Sequence, residues 1–107
     1  MRAKLQYAAV FLVAISTESS AASFDCRQYY RNRTCPEVVI CSTRGLSRSD
    51  DQMAAMYEIL MKRLRASEAV RLRADQRDWL ADRNACGCDA ACIEGSYERR
   101  IEELDLY

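Results

Sequence analysis

Six cysteines among 107 residues constrain this chain more than any other feature. A domain this small buries little apolar surface and usually needs covalent staples. Cysteines at this density form disulfides where the compartment is oxidising. Six allow fifteen pairings, and spacing alone does not choose among them. A bond from Cys86 to Cys88 is disfavoured, because two residues around one glycine rarely meet disulfide geometry. Metal binding is the other use of clustered thiols. The run Cys86-x-Cys88-x3-Cys92 lacks the usual zinc spacing, and the chain has no histidine to complete a ligand set. That absence also removes any Ser-His-Asp triad or Cys-His pair.

The N-terminal residues point to an oxidising compartment. Arg2 and Lys4 precede an apolar run from Leu5 to Ile15 that only Gln6 interrupts, and Ser20-Ala21-Ala22 places small residues before Ser23. This is the pattern of a secretory signal peptide over residues 1–22, leaving 23–107 as one domain. The apolar run is too short for a bilayer span, which takes about 20 residues. Cys26 follows Ser23-Phe24-Asp25 rather than a lipobox, so no lipid anchor is expected. The expected location is secreted or periplasmic, with no membrane span after cleavage.

Sixteen basic residues balance sixteen acidic ones, which argues against a general nucleic-acid binder. The balance conceals an asymmetry. Residues 23–48 carry five arginines against Asp25 and Glu37, net +3, whereas residues 49–107 carry nine basic and thirteen acidic residues, net −4.

Periodicity after Ser49 is helical throughout. Ser49 and Gln52 match a capping box, with Asp50 and Asp51 suited to the positive end of the helix dipole. Met53, Met56, Tyr57, Leu60 and Leu64 then recur on one face, with Ile59 the outlier on the opposite side. A break at Ala66-Ser67-Glu68, with Ser67 as N-cap, opens a second helix that runs to about Asn84. Its stripe is Ala69, Leu72, Gln76, Trp79, Leu80 and Arg83; the other side mixes Arg71, Asp75, Arg77, Asp78 and Asp82. Gly87 suits a C-terminal cap, and Asp89 can cap a third helix with the stripe Ala90, Ile93, Tyr97, Arg100, Ile101 and Leu104. Before Ser49, Gly45 breaks the chain, and Glu37-Val38-Val39-Ile40 is too short to distinguish a strand from a helical turn. The predicted fold is all-α: a small disulfide-stapled bundle of about three helices with an irregular Cys-rich N-terminal segment.

Several of these residues recur together in one known family. Phe24-Asp25-Cys26, Ile40-Cys41, Leu46, Asp50 and Tyr57 make up the first half of the pattern. Gln76-x-x-Trp79-Leu80-x-x-Arg83, Cys86, Ala91-Cys92, Tyr97 and Arg100-Ile101 make up the second. The chain resembles the LprI-type lysozyme inhibitor family, in particular its N-terminal domain, from Phe24 to Leu104. The resemblance implies a small secreted or periplasmic helical domain with two disulfides, and lysozyme inhibition as its activity. It places Cys26, Cys41, Cys86 and Cys92 at family positions and favours the bonds Cys26–Cys41 and Cys86–Cys92. Beside that pattern the chain lacks the lipobox of a lipoprotein member, inserts Tyr29-Tyr30-Arg31-Asn32-Arg33-Thr34 with Cys35, and adds Cys88. With the family bonds in place, Cys35 and Cys88 are the remaining pair.

Three sets of residues are candidates for function. Gln76, Trp79 and Arg83 share one helix face near Tyr97; they form either a polar recognition groove around an aromatic or a buried network. The network is favoured, with Gln76 and Arg83 meeting loop carbonyls near the disulfides and Arg83 placed to stack on an aromatic. Tyr29, Tyr30, Arg31 and Arg33, between Cys26 and Cys35, have the composition of an interface hot spot. Asp89 to Tyr107 carries six acidic residues against Arg99 and Arg100, a charge that would speed association with a cationic lysozyme. No Gly-rich phosphate loop occurs among three glycines, and the carboxylate pairs Glu102-Glu103 and Asp78/Asp82 read as exposed rather than as a cleft. The expected activity is binding, without catalysis, metal or cofactor. The target is a lysozyme met by occlusion of its groove, or another envelope protein or anionic glycan met through the Arg/Tyr loop.

Overall fold

The computed structural model describes residues 24–28 and 34–107. Residues 1–23, where a signal peptide is expected, and the stretch Tyr29 to Arg33 lie outside the described residues. Among those described there are four α-helices, a 3-10 turn over Cys26–Gln28 and no strand. The fold is all-α, with one helix more than the periodicity indicates.

The additional helix is α1, Cys35–Ser42. Pro36 occupies its first turn, where a missing N–H costs nothing and the fixed φ favours the helix. Glu37-Val38-Val39-Ile40 thus resolves as helix, and the N-terminal segment is less irregular than expected. Thr43 alone, in extended conformation, separates α1 from α2. Buried Ser47 latches this corner, its hydroxyl donating to the Ile40 carbonyl at 2.6 Å.

Helix α2 spans Arg44–Arg63 and begins five residues before Ser49. Ser49 is therefore an interior residue, not a cap; its hydroxyl donates back to the Gly45 carbonyl at 3.1 Å. Gly45 lies in the first turn and does not break the chain. The buried stripe Leu46, Asp50, Met53 and Leu60 explains the early start, since Leu46 needs the same face as Met53. Ile59, on the far side, is 60% exposed.

Leu64 and Arg65 are extended, and α3 runs Ala66–Ala85. Arg65, not Ser67, holds the N-cap position, and Ser67 falls inside the first turn. The chain reverses through Cys86 to Cys88, where Gly87 adopts φ 61°, a conformation glycine reaches without Cβ strain. Helix α4, Ala90–Asp105, is capped by Asp89, whose carboxylate accepts from the Cys92 N–H at 3.2 Å. It packs along α2 and against α3, while α2 and α3 meet at few positions. The core is Ile40, Leu46, Met53, Leu60, Leu72, Trp79, Ile93, Tyr97 and Leu104, joined by Cys26.

All six cysteines are paired. Cys26 bonds Cys41, Cys86 bonds Cys92, and Cys35 bonds Cys88. The first fixes the 3-10 turn to the end of α1. The second clasps the α3–α4 turn. The third joins the start of α1 to that turn across a sequence separation of 53. No helix among the described residues is long and apolar enough to cross a membrane.

In the chain-entropy model a loop of that length contributes about 4 kcal/mol. The double variant Cys35→Ser/Cys88→Ser is expected to lose about 2–4 kcal/mol in urea unfolding while keeping its far-UV circular dichroism. An unchanged unfolding midpoint would show that the bond adds nothing to the fold.

Candidate functional site

Asp50, Arg83 and Tyr97 come from α2, α3 and α4 and meet in the core. The Tyr97 hydroxyl donates to Asp50 Oδ1 at 2.7 Å and accepts from Arg83 Nη1 at 3.0 Å. Arg83 Nη1 is 3.8 Å from the same carboxylate oxygen, and neither Arg83 nor Asp50 reaches solvent appreciably. The rest of the guanidinium is satisfied by Asn84 Oδ1, at 3.3 Å from Nε and 3.0 Å from Nη2. Its carbon lies 5.7 Å from the ring centres of both Phe24 and Trp79. Burial, and then the Asp50 carboxylate, push the Tyr97 hydroxyl well above the ordinary phenol range; Arg83 opposes this by less.

A second chain of bonds runs beside the first. Gln76 donates to Met53 Sδ at 3.0 Å and accepts from Arg100 Nε at 3.0 Å. Arg100 Nη1 continues to Glu103 at 2.9 Å. Trp79 packs edge-on against Tyr97, centroids 5.1 Å apart, and its Nε1–H donates to the Ser96 carbonyl at 3.0 Å.

Gln76, Trp79, Arg83 and Tyr97 are therefore brought together, but inside the molecule. The partners of Gln76 and Arg83 are side chains of α2, α3 and α4 rather than loop carbonyls. Helix packing delivers Met53, Asp50, Tyr97 and Arg100 buried, whereas Asn84 at the end of α3 is exposed. Asp50 is the residue sequence reasoning misplaced. It does not serve the helix dipole; it is fully buried mid-helix. The signal was available, because Asp50 stands three residues before Met53 and four after Leu46, on the apolar stripe. Tyr29, Tyr30, Arg31 and Arg33 lie outside the described residues.

Above the network, α3 and α4 border a groove of about 400 Å³. Asp75, Asp78 and Asp82 form its α3 wall, Arg99 and Glu103 its α4 wall, with Trp79 and Arg100 at its base. Arg100 pairs with Glu103 through Nη1 while its buried Nη2 has no partner, and with three aspartates and Glu103 against Arg99 and Arg100 the groove is net acidic. Glu94, Glu98 and Glu102 are exposed elsewhere on α4. Among the described residues no three His, Cys, Asp or Glu side chains are grouped to hold a metal.

A family model described as lysozyme inhibitor LprI matches residues 26–104. The chain belongs to the LprI lysozyme inhibitor family. The LprI match begins at the first cysteine and ends at the last core leucine, Leu104, so it takes in all three disulfides and both hydrogen-bond chains. No curated protein and no solved structure matches the chain significantly. The polar residues that carry the LprI pattern, Asp50, Gln76, Arg83, Tyr97 and Arg100, are the ones the structure buries. They build the buried network of the domain.

The raised Tyr97 hydroxyl gives a signed pH dependence. Above about pH 10 the unfolded chain releases this proton while the folded protein keeps it. Tyr97 therefore stabilises fully below that pH, and its contribution falls by up to about 1.4 kcal/mol per pH unit above it. Tyr97→Phe should be less stable at neutral pH by about 1–3 kcal/mol, and the gap to the parent should close between about pH 10 and 11.5. Parallel urea-unfolding stabilities across that interval would contradict it.

Proposed function

We propose that this protein is exported through residues 1–22 and, as residues 23–107, inhibits a lysozyme by occluding its substrate groove without catalysis of its own. Membership of the LprI family supports the activity. Three disulfides in one small domain support an extracellular or periplasmic location. The observation that carries the mode of binding is the acidic α3–α4 groove. Many lysozymes are strongly cationic, and an acidic groove with a packed base steers such a partner and fixes its orientation. A basic side chain of the lysozyme would lie between Asp75, Asp78 and Asp82, with α4 covering the adjoining surface. The same aspartates are free of structural work, since the buried network uses Asp50 and Glu103 instead.

A second reading places the contact on the Arg/Tyr loop. It is favoured by one observation: Cys26 and Cys35, which bracket residues 27–34, are both disulfide-bonded to ordered partners, so the loop ends are held at low entropy cost. Its net positive charge would suit an anionic glycan or envelope protein rather than a cationic enzyme.

Peptidoglycan lysis by purified lysozyme, with and without the mature protein, separates the two. Under the first reading the protein slows lysis at micromolar concentration, and inhibition weakens as salt is added. Asp75→Asn/Asp78→Asn/Asp82→Asn should weaken inhibition about tenfold or more, while Arg31→Ala/Arg33→Ala leaves it unchanged or improved. Unchanged lysis across several lysozyme types would discard the inhibitor reading. Inhibition lost with the arginines and kept without the aspartates would move the contact to the loop.

A further inference from the structure

Helix α3 separates two unlike grooves. Its aspartates face α4; its Arg73, Gln76, Arg77 and Leu80, at the spacing of one helix face, line a groove of about 570 Å³ against α2. The α2 wall is Met53, Ala54, Tyr57 and Met61. This volume lies within the range of about 300–1,000 Å³ that small-molecule sites occupy. Ala54 to Met61 spans seven residues of helix, about 10.5 Å, which is the length of a short alkyl chain rather than of a partner helix.

The floor makes no demand for a polar ligand. Both ends of the buried Gln76 amide are used within the protein, by Met53 and by Arg100, and Tyr57 adds a half-buried phenol. The rim is different. Glu58 on the α2 side is held by Lys62 at 3.5 Å. Among the described residues no carboxylate pairs with Arg73 or Arg77. Two unpaired guanidiniums, about 5–6 Å apart at their Cβ atoms, therefore stand over an apolar floor. A carboxylate head between them gains charge-assisted hydrogen bonds, and its chain covers methionine, alanine and leucine.

We propose that the α2–α3 groove binds a single-chain anionic amphiphile, a medium-chain fatty acid carboxylate, with its head on Arg73 and Arg77 and its chain along Ala54, Met61 and Leu80. The site does not depend on the lysozyme reading, because neither arginine lines the α3–α4 groove.

Isothermal titration of the disulfide-bonded protein with dodecanoate, below its micelle-forming concentration, tests this. Saturable binding is expected, tightening about fourfold per added methylene from octanoate to dodecanoate. Arg73→Ala/Arg77→Ala should weaken it about tenfold or more without moving the unfolding midpoint, since both side chains are exposed. Dodecyltrimethylammonium, with the same chain and the opposite charge, should bind about tenfold more weakly or not at all. Ala55→Trp, which fills the groove from an exposed position, should abolish binding. Absence of saturable heat from dodecanoate would overturn the proposal. So would equal affinity in the arginine double variant, equal affinity for the cationic amphiphile, or binding that survives Ala55→Trp.

Discussion

The hydrogen bond from Tyr97 to Asp50 joins α4 to α2 across 47 residues, and Arg83 of α3 closes on the same pair. Every helix of the bundle proper thus contributes one polar side chain to a single buried point. The net gain from such bonds is modest, about 1 kcal/mol each, because water would satisfy the same groups in the unfolded chain. The penalty for misplacing them is larger. A packing that slid α4 along α2 would leave Asp50 buried without its partners, at about 3–5 kcal/mol. The triad therefore discriminates against wrong registers more than it adds stability, and the disulfides supply constraint where a small core supplies little.

That division of labour determines where function can reside. The family pattern is read mostly on residues that the fold consumes: Trp79 against Tyr97, Gln76 between Met53 and Arg100, Arg83 beneath Phe24. The exposed side chains of α3 and α4 are among those the fold does not consume. Because α4 lies on one side of α3 and α2 splays from the other, the polar residues of α3 separate by charge. Asp75, Asp78 and Asp82 fall to the α4 side; Arg73 and Arg77 fall to the α2 side. One helix thereby presents an acidic groove suited to a cationic protein and a basic-rimmed apolar groove suited to an anionic amphiphile.

Much of this was legible in the sequence where helical period and capping chemistry agree. The stripe of α3, the Asp89 cap and the glycine turn at Gly87 follow from residue type and spacing alone. Other features did not. Pro36 to Ser42 is too short for periodicity to separate helix from strand, and its helical state is set by Pro36 in the first turn and by Cys41 and Ser47 holding the corner. Asp50 carries the chemistry of a helix start, yet its place on the stripe of Leu46 and Met53 and its partners Tyr97 and Arg83, distant in sequence, draw it into the core. The acidic residues of α3 read as an undivided solvated face, since their sorting depends on which helices flank them. The residues 29–33 singled out by composition lie outside the described structure, so the surface account rests on α3 and α4.

The proposal that the partner is met on α3 and α4 is tested most directly by titrating unlabelled lysozyme into the isotopically labelled protein and following backbone amide shifts. The account predicts perturbations centred on Asp75, Asp78, Asp82, Arg99 and Glu103, with Asp50 and Leu46 on the far helix unmoved. Perturbations confined to residues 27–35, or none anywhere at saturating lysozyme, would contradict it.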